Sequence, residues 1–493
     1  MVHDTLNIKP YDDVYVKIDC ERGVAKELSD FFTFKVPNYQ YTPAYKNKAW
    51  DGQIRLYNIY KQTIYKGLLD YVVQFAEDRN YNITSSLNDE AVSYKRDNII
   101  SYLDSHLNLP YTAYDHQVDA IEYALNSDRG LLLSPTGSGK SLIIYSLMRF
   151  YLDKIHPDKK ILIIVPTTGL VSQMTSDFKD YSKKSKWNVN KNCHAIFSGQ
   201  DKNTDKRVVI STWQSIHNMK QDYFDQYEAV FGDECHLFKA KSLTKIMTKL
   251  VNCPYRFGTT GTLDDSQTHK LVIEGLFGRV FKVTTTKQLM EENLLSELKI
   301  DCITLSYPDE QVQEIKRAKY IEEIKWLIRN ESRNQFLKNL VKNVKGNTLL
   351  LFNYVKEHGV PLYEDIQKEC ADKSVFMIHG GTSVDQREEI RNIVDKEENA
   401  ILVASYGTCS TGINIKNIHN IVFASPSRSV IRVLQSIGRG LRTSKTKNSV
   451  RLYDISDDLR HKKYVNHTYK HLHERLKIYN RERFNFKRIS IDL

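Results

Sequence analysis

The residues Ser134-Pro135-Thr136-Gly137-Ser138-Gly139-Lys140-Ser141 follow directly on the apolar run Gly130-Leu131-Leu132-Leu133. A helical pattern, Ser141 to Leu152, begins where they end. A glycine-rich loop between a buried strand and a helix is the setting of a phosphate-binding loop, or P-loop. Gly137 and Gly139 let the backbone wrap closely around phosphate oxygens, with N–H groups pointing inward. The helix N-terminus adds a dipole that favours anions. Lys140 can reach the β- and γ-phosphates, and the Ser141 hydroxyl can ligate Mg²⁺. The first glycine usual in such loops is Ser134 here. An ordinary glycine-rich turn is the alternative, and Gly-Lys-Ser directly behind a strand argues against it.

The pattern around this loop is strand, loop, helix, repeated. Ile161-Leu162-Ile163-Ile164-Val165 is a fully apolar strand closed by Pro166, and Val208-Val209-Ile210 and Glu228-Ala229-Val230-Phe231 are further strands. The rhythm returns after residue 300 in 348–352, 374–378, 400–404 and 420–423. Apolar strands alternating with helices indicate a parallel sheet covered on both faces. The chain therefore reads as two α/β domains, 109–297 and 298–493, behind a small α+β domain, 1–108. Helical character is expected near Tyr464 to Arg483, within a basic C-terminal segment that is either a solvated helix or a contact for a polyanion.

Length and composition agree with this division. The 493 residues suggest about three domains at roughly 100–200 residues each. With 41% hydrophobic and 27% charged residues the chain can bury sizeable cores, which excludes disorder for most of it. Lys and Arg number 71 against 60 Asp and Glu, a formal charge of +11. That surplus suits a polyanion such as nucleic acid, and equally a generic basic protein. No apolar run of about 18 residues is present, so no membrane span is expected. The start, MVHDTLNIKPYDD, does not read as a secretory signal. The seven cysteines are scattered, with no CxxC pair, which argues against disulfides and zinc and suits a reducing compartment, the cytoplasm.

A P-loop needs an acid at the end of a later strand. Phe231-Gly232-Asp233-Glu234-Cys235-His236 supplies one. Asp233 would hold Mg²⁺ and Glu234 would polarise the attacking water as general base. His236 would connect this site to a nucleic-acid side.

Further motifs follow in order. Tyr114-Asp115-His116-Gln117 precedes the P-loop. Val165-Pro166-Thr167-Thr168-Gly169-Leu170, Thr212-Trp213-Gln214-Ser215 and Thr259-Thr260-Gly261-Thr262 follow strands of the first α/β domain. Ile378-His379-Gly380-Gly381, 403–414 and Gln435-Ser436-Ile437-Gly438-Arg439-Gly440-Leu441-Arg442 lie in the second. In order and spacing this set resembles the superfamily 2 helicases over about residues 111–450. The resemblance implies two tandem RecA-like domains that use ATP and Mg²⁺. Thr136, Gly137, Ser138, Gly139, Lys140 and Ser141 would hold the phosphates. Gln117 would read adenine with Tyr114 packing nearby, and Ser141 and Asp233 would hold the metal. Gly412 and Asn414 would contact nucleotide, and Thr411 the nucleic-acid backbone. Arg439 and Arg442 match arginine fingers, which complete the transition-state charge only on domain closure. His236, Thr260, Thr262 and Gln435 match coupling positions. Thr167, Thr168, Thr212, Trp213 and Gly380 would lie along a nucleic-acid track contacted through phosphates, without sequence readout.

Asp-Glu-Cys-His and the Gln-Ser-Ile-Gly-Arg-Gly-Leu-Arg segment depart from the DEAD-box RNA helicase pattern and are similar to DNA translocases of repair and restriction. Phe31-Phe32-Thr33-Phe34, the segment 45–56, Ile163 to Thr168 and Arg483-Phe484-Asn485-Phe486 resemble the UvsW-type recombination helicases of T-even-like bacteriophages. This likeness would cover nearly the whole chain. It implies an ATP-dependent enzyme that unwinds or branch-migrates forked and four-way DNA in recombination, repair and stalled-fork processing. It would act in the bacterial host cytoplasm, as a monomer, beside single-stranded-DNA-binding or recombination proteins and away from membranes. Residues 31–66 carry Lys35, Lys46, Lys48, Arg55, Lys61 and Lys66 against Asp51, among many aromatics. Lys46, Lys48, Trp50 and Arg55 are candidates for gripping duplex phosphates or wedging a junction, while the aromatics taken singly are expected to form a small core. An RNA helicase of the same superfamily and a non-catalytic nucleic-acid clamp are the alternatives.

Overall fold

The computed structural model describes residues 4–87, 93–197, 199–238, 241–263, 267–412, 415, 417–425, 429, 438, 441 and 449–493. The chain forms two compact units. One joins Met1–Ser134 to Gly139–Val283, and the other joins Pro135–Ser138 to Thr284–Leu493.

The first unit opens with β1 (Thr5–Pro10), β2 (Tyr15–Asp19), β3 (Thr33–Lys35), β4 (Gln53–Arg55), β5 (Tyr57–Asn58), β6 (Thr63–Tyr65) and β7 (Asn82–Ser85). Five of these make a sheet in the order β5-β6-β2-β1-β7, and β3 and β4 form a separate antiparallel ribbon. Strand alternation decides which face is covered. Leu6, Ile8, Val16 and Ile18 point inward against helices Arg22–Phe31 and Leu69–Glu77, while Tyr15 and Lys17 lie between them on the other face. Of the aromatics expected singly to form core, Phe32, Tyr57 and Phe75 are buried and Phe34, Tyr65 and Tyr71 pack against them, whereas Phe31, Tyr41, Tyr45 and Tyr60 are exposed.

That core does not end with the small sheet. Leu68, Val72 and Phe75 belong to one continuous apolar cluster with Leu131, Val230, Leu271 and Phe277. Gly67 allows the approach, because a Cβ there would lie 2.1 Å from the carbonyl oxygen of Glu274. Tyr71 donates its hydroxyl to Glu274 Oε2 at 2.8 Å across the same contact.

The parallel sheet of the first unit comprises β8 (Arg129–Leu133), β9 (Lys160–Val165), β10 (Cys193–Ile196), β11 (Val208–Thr212), β12 (Tyr227–Gly232), β13 (Tyr255–Thr260) and β14 (Val280–Lys282). Its order is β10-β11-β9-β12-β13-β8-β14, every neighbouring pair parallel. Apolar clusters cover both faces, which is why its central strands read as unbroken apolar runs. The loops after β8, β9, β11, β12 and β13, all carrying motifs, emerge at the carboxyl ends of the strands, where ligands of open α/β sheets bind.

The second unit repeats the architecture with β15 (Glu297–Ser306), β16 (Thr348–Phe352), β17 (Val375–Ile378), β18 (Ile401–Ser405), β19 (Asn420–Phe423), β20 (Ser449–Asp458) and β21 (Phe486–Asp492). The order is β17-β18-β16-β19-β20-β15-β21, again parallel throughout. The expected C-terminal helix spans His467–Arg481. Glu323 accepts the N–H groups of His467 and Thr468 at 2.9 and 2.7 Å, satisfying donors that the first turn leaves open. The basic residues that follow are neither free helix nor loose tail: Lys487 and Arg488 belong to β21, which pairs with β15. Among the described residues no helix is long and apolar enough to cross a membrane.

Candidate nucleotide site and nucleic-acid-facing loops

Gly137 and Gly139 take φ values of 90° and 84°, a region that suits glycine and turns successive N–H groups toward a common centre. Lys140 opens the helix Lys140–Lys154. Its Nζ donates to the carbonyl oxygen of Ser134 at 3.3 Å and stands 3.8 Å from Glu234 Oε1. Within the loop Ser138 Oγ donates to the Pro135 carbonyl at 2.7 Å, and Thr136 is half-buried. Ser141 Oγ lies 2.9 Å from the hydroxyl of Tyr181, at the far end of the helix Thr168–Tyr181.

The acids lie two strands away. Ser134 N–H donates to the Thr260 carbonyl at 2.8 Å, tying the P-loop strand to β13. From β13, Thr259 Oγ1 donates to Asp233 Oδ1 at 2.8 Å, and the Glu234 N–H donates to the same oxygen at 2.9 Å. Burial first, and the charge of Glu234 second, push the Asp233 carboxyl up from its ordinary value. Glu234 holds a left-handed backbone, φ 52°, that a non-glycine residue adopts at a cost of about 1–3 kcal/mol and that turns its side chain back toward Lys140. His236 Nδ1 is 3.3 Å from Glu234 Oε2 and 3.0 Å from Thr260 Oγ1. Thr260 in turn donates to the Thr262 carbonyl at 2.8 Å. Lys140, Asp233, Glu234, His236, Thr260 and Thr262 therefore form one cluster.

Gln117 is buried, and its Nε2 would sit 2.2 Å from a Cβ at position 139, so its amide reaches the P-loop. Tyr114 leaves half its ring exposed and stacks on His116 at 5.7 Å. Thr167 caps the helix Thr168–Tyr181, and Thr168 is exposed. Thr212 is different: it is buried, with its hydroxyl 2.9 Å from Ser215 Oγ. Trp213 is half-buried against the apolar core.

In the N-terminal region Lys46 and Lys48 are exposed. Trp50 donates its indole N–H to the Gln53 carbonyl at 2.8 Å, and Arg55 pairs with Asp51 at 2.5 Å, holding that carboxyl below its usual range. In the second unit Gly380 is exposed, with open space where a Cβ would stand, and Thr411 and Gly412 end the helix Tyr406–Gly412. Asn414, Gln435, Arg439 and Arg442 lie outside the described residues. Thr259 and Tyr181, which hold Asp233 and Ser141, were absent from the sequence-derived set. Thr259 could have been found from its place in a recognised motif, whereas Tyr181 has no local signal.

Residues 5–86 match the family described as DNA helicase UvsW, N-terminal; residues 110–265 match type III restriction enzyme, res subunit; and residues 332–444 match the helicase conserved C-terminal domain. The ATP-dependent DNA helicase uvsW of Enterobacteria phage T4 is 35% identical over 501 aligned positions, covering 98% of this chain and 99% of that protein. The chain belongs to the UvsW family. The crystal structure of T4 UvsW superimposes with a TM-score of 0.52 at 31% identity, covering 99% of both chains. Beyond the UvsW family, the DNA 3'-5' translocase XPB2 of Sulfurisphaera tokodaii is 22% identical over 66% of this chain and 78% of its own length.

Proposed function

We propose that this chain is an ATP-dependent DNA helicase and translocase that unwinds and branch-migrates forked or four-way DNA in recombination, repair and stalled-fork processing, and that it works in the cytoplasm of a bacterial host. Membership of the UvsW family supports the helicase activity. The observation that carries the chemistry is the unbroken cluster from Lys140 through Glu234 and His236 to Thr260.

Each member has a task that its geometry allows. Lys140 places its ammonium where the β- and γ-phosphate oxygens of ATP would lie, stabilising charge that grows as the terminal phosphoryl group leaves. Glu234 is the general base, and it can orient a water while its other oxygen faces His236. Asp233 is buried beside Glu234, two carboxylates against the one ammonium of Lys140, which suits a divalent cation. Asp233 and Ser141 would hold Mg²⁺, which neutralises phosphate oxygens. Gln117 would read the adenine edge. Thr168 and Lys46, both exposed, would contact phosphates of a DNA track.

The test compares fork, four-way junction and linear duplex DNA, and RNA, as stimulators of ATP hydrolysis and as substrates for unwinding and fork regression. Branched DNA is expected to stimulate most. Preference for RNA would replace this reading with that of an RNA helicase, and absence of turnover with any nucleic acid would leave only a clamp.

A further inference from the structure

Tyr11, Tyr15, Arg55, Lys61, Tyr65 and Thr248 line a cleft of about 390 Å³ in the first unit, between the N-terminal sheet and the parallel-sheet domain. The β5–β6 turn that supplies Lys61 also carries Tyr60, which is 96% exposed. That turn is held rigidly. Asn58 Oδ1 accepts the N–H groups of Tyr60 and Lys61 at 3.1 and 3.0 Å. Gln62 takes a left-handed backbone, φ 54°, and its carbonyl accepts the Ile18 N–H at 2.7 Å. Tyr57 and Ile64 anchor the two strands in the core. A large aromatic is thus fixed outward on a short, braced hairpin.

The lining carries two cations, Arg55 and Lys61, against one acid. Its one acid, Asp12, has Oδ1 engaged by the N–H groups of Val14 and Tyr15 at 2.7 and 2.6 Å. Behind the cleft Lys66, Arg129 and Arg256 all act on the Asp13 carboxylate, and Asp128 is also felt at Arg129. Arg256 is fully buried, and its hydrogen bonds go to backbone carbonyls, among them those of Cys253 and Met247. Arg129 reaches the Asp13 carbonyl at 3.1 Å, and its Nη1 has no hydrogen-bond partner. Burial and the charge of Arg256 bring the Arg129 guanidinium down to about 9. The charge of Asp12 and, after it, that of Arg256 are felt at Tyr15.

We propose that the β5–β6 turn at the rim of this cleft is a subsite for one unpaired strand of DNA, with a base stacked on Tyr60 and the adjoining phosphate held by Lys61. The inference rests on the DNA-helicase reading above and adds a place and a strand type to it. Bases inside a duplex hide their faces; an unpaired base offers one, and stacking on an aromatic beside cations is how single strands are gripped. A cleft of about 390 Å³ is of single-ligand size and takes one nucleotide rather than a duplex. Trp50, an obvious aromatic of this region by sequence, is only half-exposed and tethered through its indole N–H, whereas Tyr60 is presented whole.

The experiment uses the full chain, without ATP, and fork DNA carrying 2-aminopurine at the first unpaired position. Wild-type protein is expected to quench the probe. Tyr60→Ala is expected to remove the quench and weaken fork binding about tenfold, Tyr60→Trp to restore both, and Lys61→Glu to weaken binding without abolishing residual quench. Matching thermal melts would show that the variants fold. Unchanged quench and affinity in Tyr60→Ala, or no quench by wild type, would overturn the subsite. Because the signal needs no hydrolysis, a wild-type chain that quenches but never hydrolyses ATP would sink the motor reading and leave the subsite standing.

Discussion

The Nδ1 atom of His236 lies 3.0 Å from Oγ1 of Thr260. Because Thr260 donates its own proton to the Thr262 carbonyl, its oxygen accepts, and Nδ1 of His236 carries the hydrogen. The same nitrogen is 3.3 Å from Glu234 Oε2. Any shift of the β13 loop would therefore be felt at Glu234. Thr260→Val removes the acceptor and keeps the shape. The DNA-stimulated rate of ATP hydrolysis is expected to fall about tenfold more than the basal rate. Steady-state ATPase assays with and without DNA check this; equal losses in the two rates would make the contact merely structural.

Lys140→Ala tests the phosphate site itself. The Nζ makes one bond to a carbonyl and a 3.8 Å approach to Glu234, so little folding energy rests on it. Turnover is expected to fall by about a hundredfold or more, the size seen when one transition-state donor is removed. The thermal melt is expected to stay within about 0.5 kcal/mol of wild type.

Arg475 and Asp454 are wholly buried, 2.7 Å apart, and Tyr479 donates to the same carboxylate at 2.9 Å. The pair holds the helix His467–Arg481 against β20. Asp454→Leu leaves a buried guanidinium without its counter-charge and is expected to cost about 3–5 kcal/mol. Arg475→Met with Asp454→Leu is expected to recover most of it. Urea unfolding of the four members of the cycle checks the coupling.

Those elements also mark where the sequence was legible and where it was not. Runs such as Ile161 to Val165 announce themselves because both faces of their sheet are buried. β21, Phe486–Asp492, is an edge strand whose Lys487 and Arg488 are exposed, and charge on an edge guards it against pairing with another chain. Read without its partner strand, that charge looks like a solvated helix or a polyanion contact. The same ambiguity affected the N-terminal patch. Arg55 reads as a free cation until Asp51, four residues earlier, is seen beside it. Tyr60 is one tyrosine among many until its turn is seen to hold it outside. The P-loop and the acids were readable because their chemistry is local to a few residues; Tyr181 was not, because only folding brings it to Ser141.

His358 gives the second unit an acid sensitivity with a definite sign. It is buried, with Nδ1 3.3 Å from Ser425 Oγ. Burial first, and Arg333 second, bring its pKa from 6.5 down to about 3. The folded chain keeps the ring neutral, while the unfolded chain protonates it near 6.5. Stability is therefore present above that pH and is lost as pH falls between about 6.5 and 3, by up to about 1.4 kcal/mol per pH unit from this group. His358→Gln is expected to flatten that slope. Urea midpoints at pH 7.5 and 5 would show it, and an unchanged slope would count against the assignment.

The continuous core joining the N-terminal sheet to the first parallel sheet makes one glycine decisive. A methyl group at Gly67 would meet the Glu274 carbonyl oxygen at 2.1 Å and that of Gly275 at 2.8 Å, both backbone atoms that cannot turn aside. Gly67→Ala must push the two elements apart, separating Leu68 and Val72 from Leu271 and Phe277 and stretching the Tyr71–Glu274 bond. A loss of about 1–3 kcal/mol is expected, the usual cost of overpacking. Gly23 is the internal control. It lies in the helix Arg22–Phe31, and a Cβ there meets nothing within 4 Å. Gly23→Ala is expected to be neutral or to stabilise by up to about 1 kcal/mol through helix propensity alone. If Gly67→Ala also releases residues 1–86 to limited proteolysis under conditions where Gly23→Ala remains resistant, the loss is one of docking. If both variants melt and digest like wild type, the two sheets do not depend on the shared core.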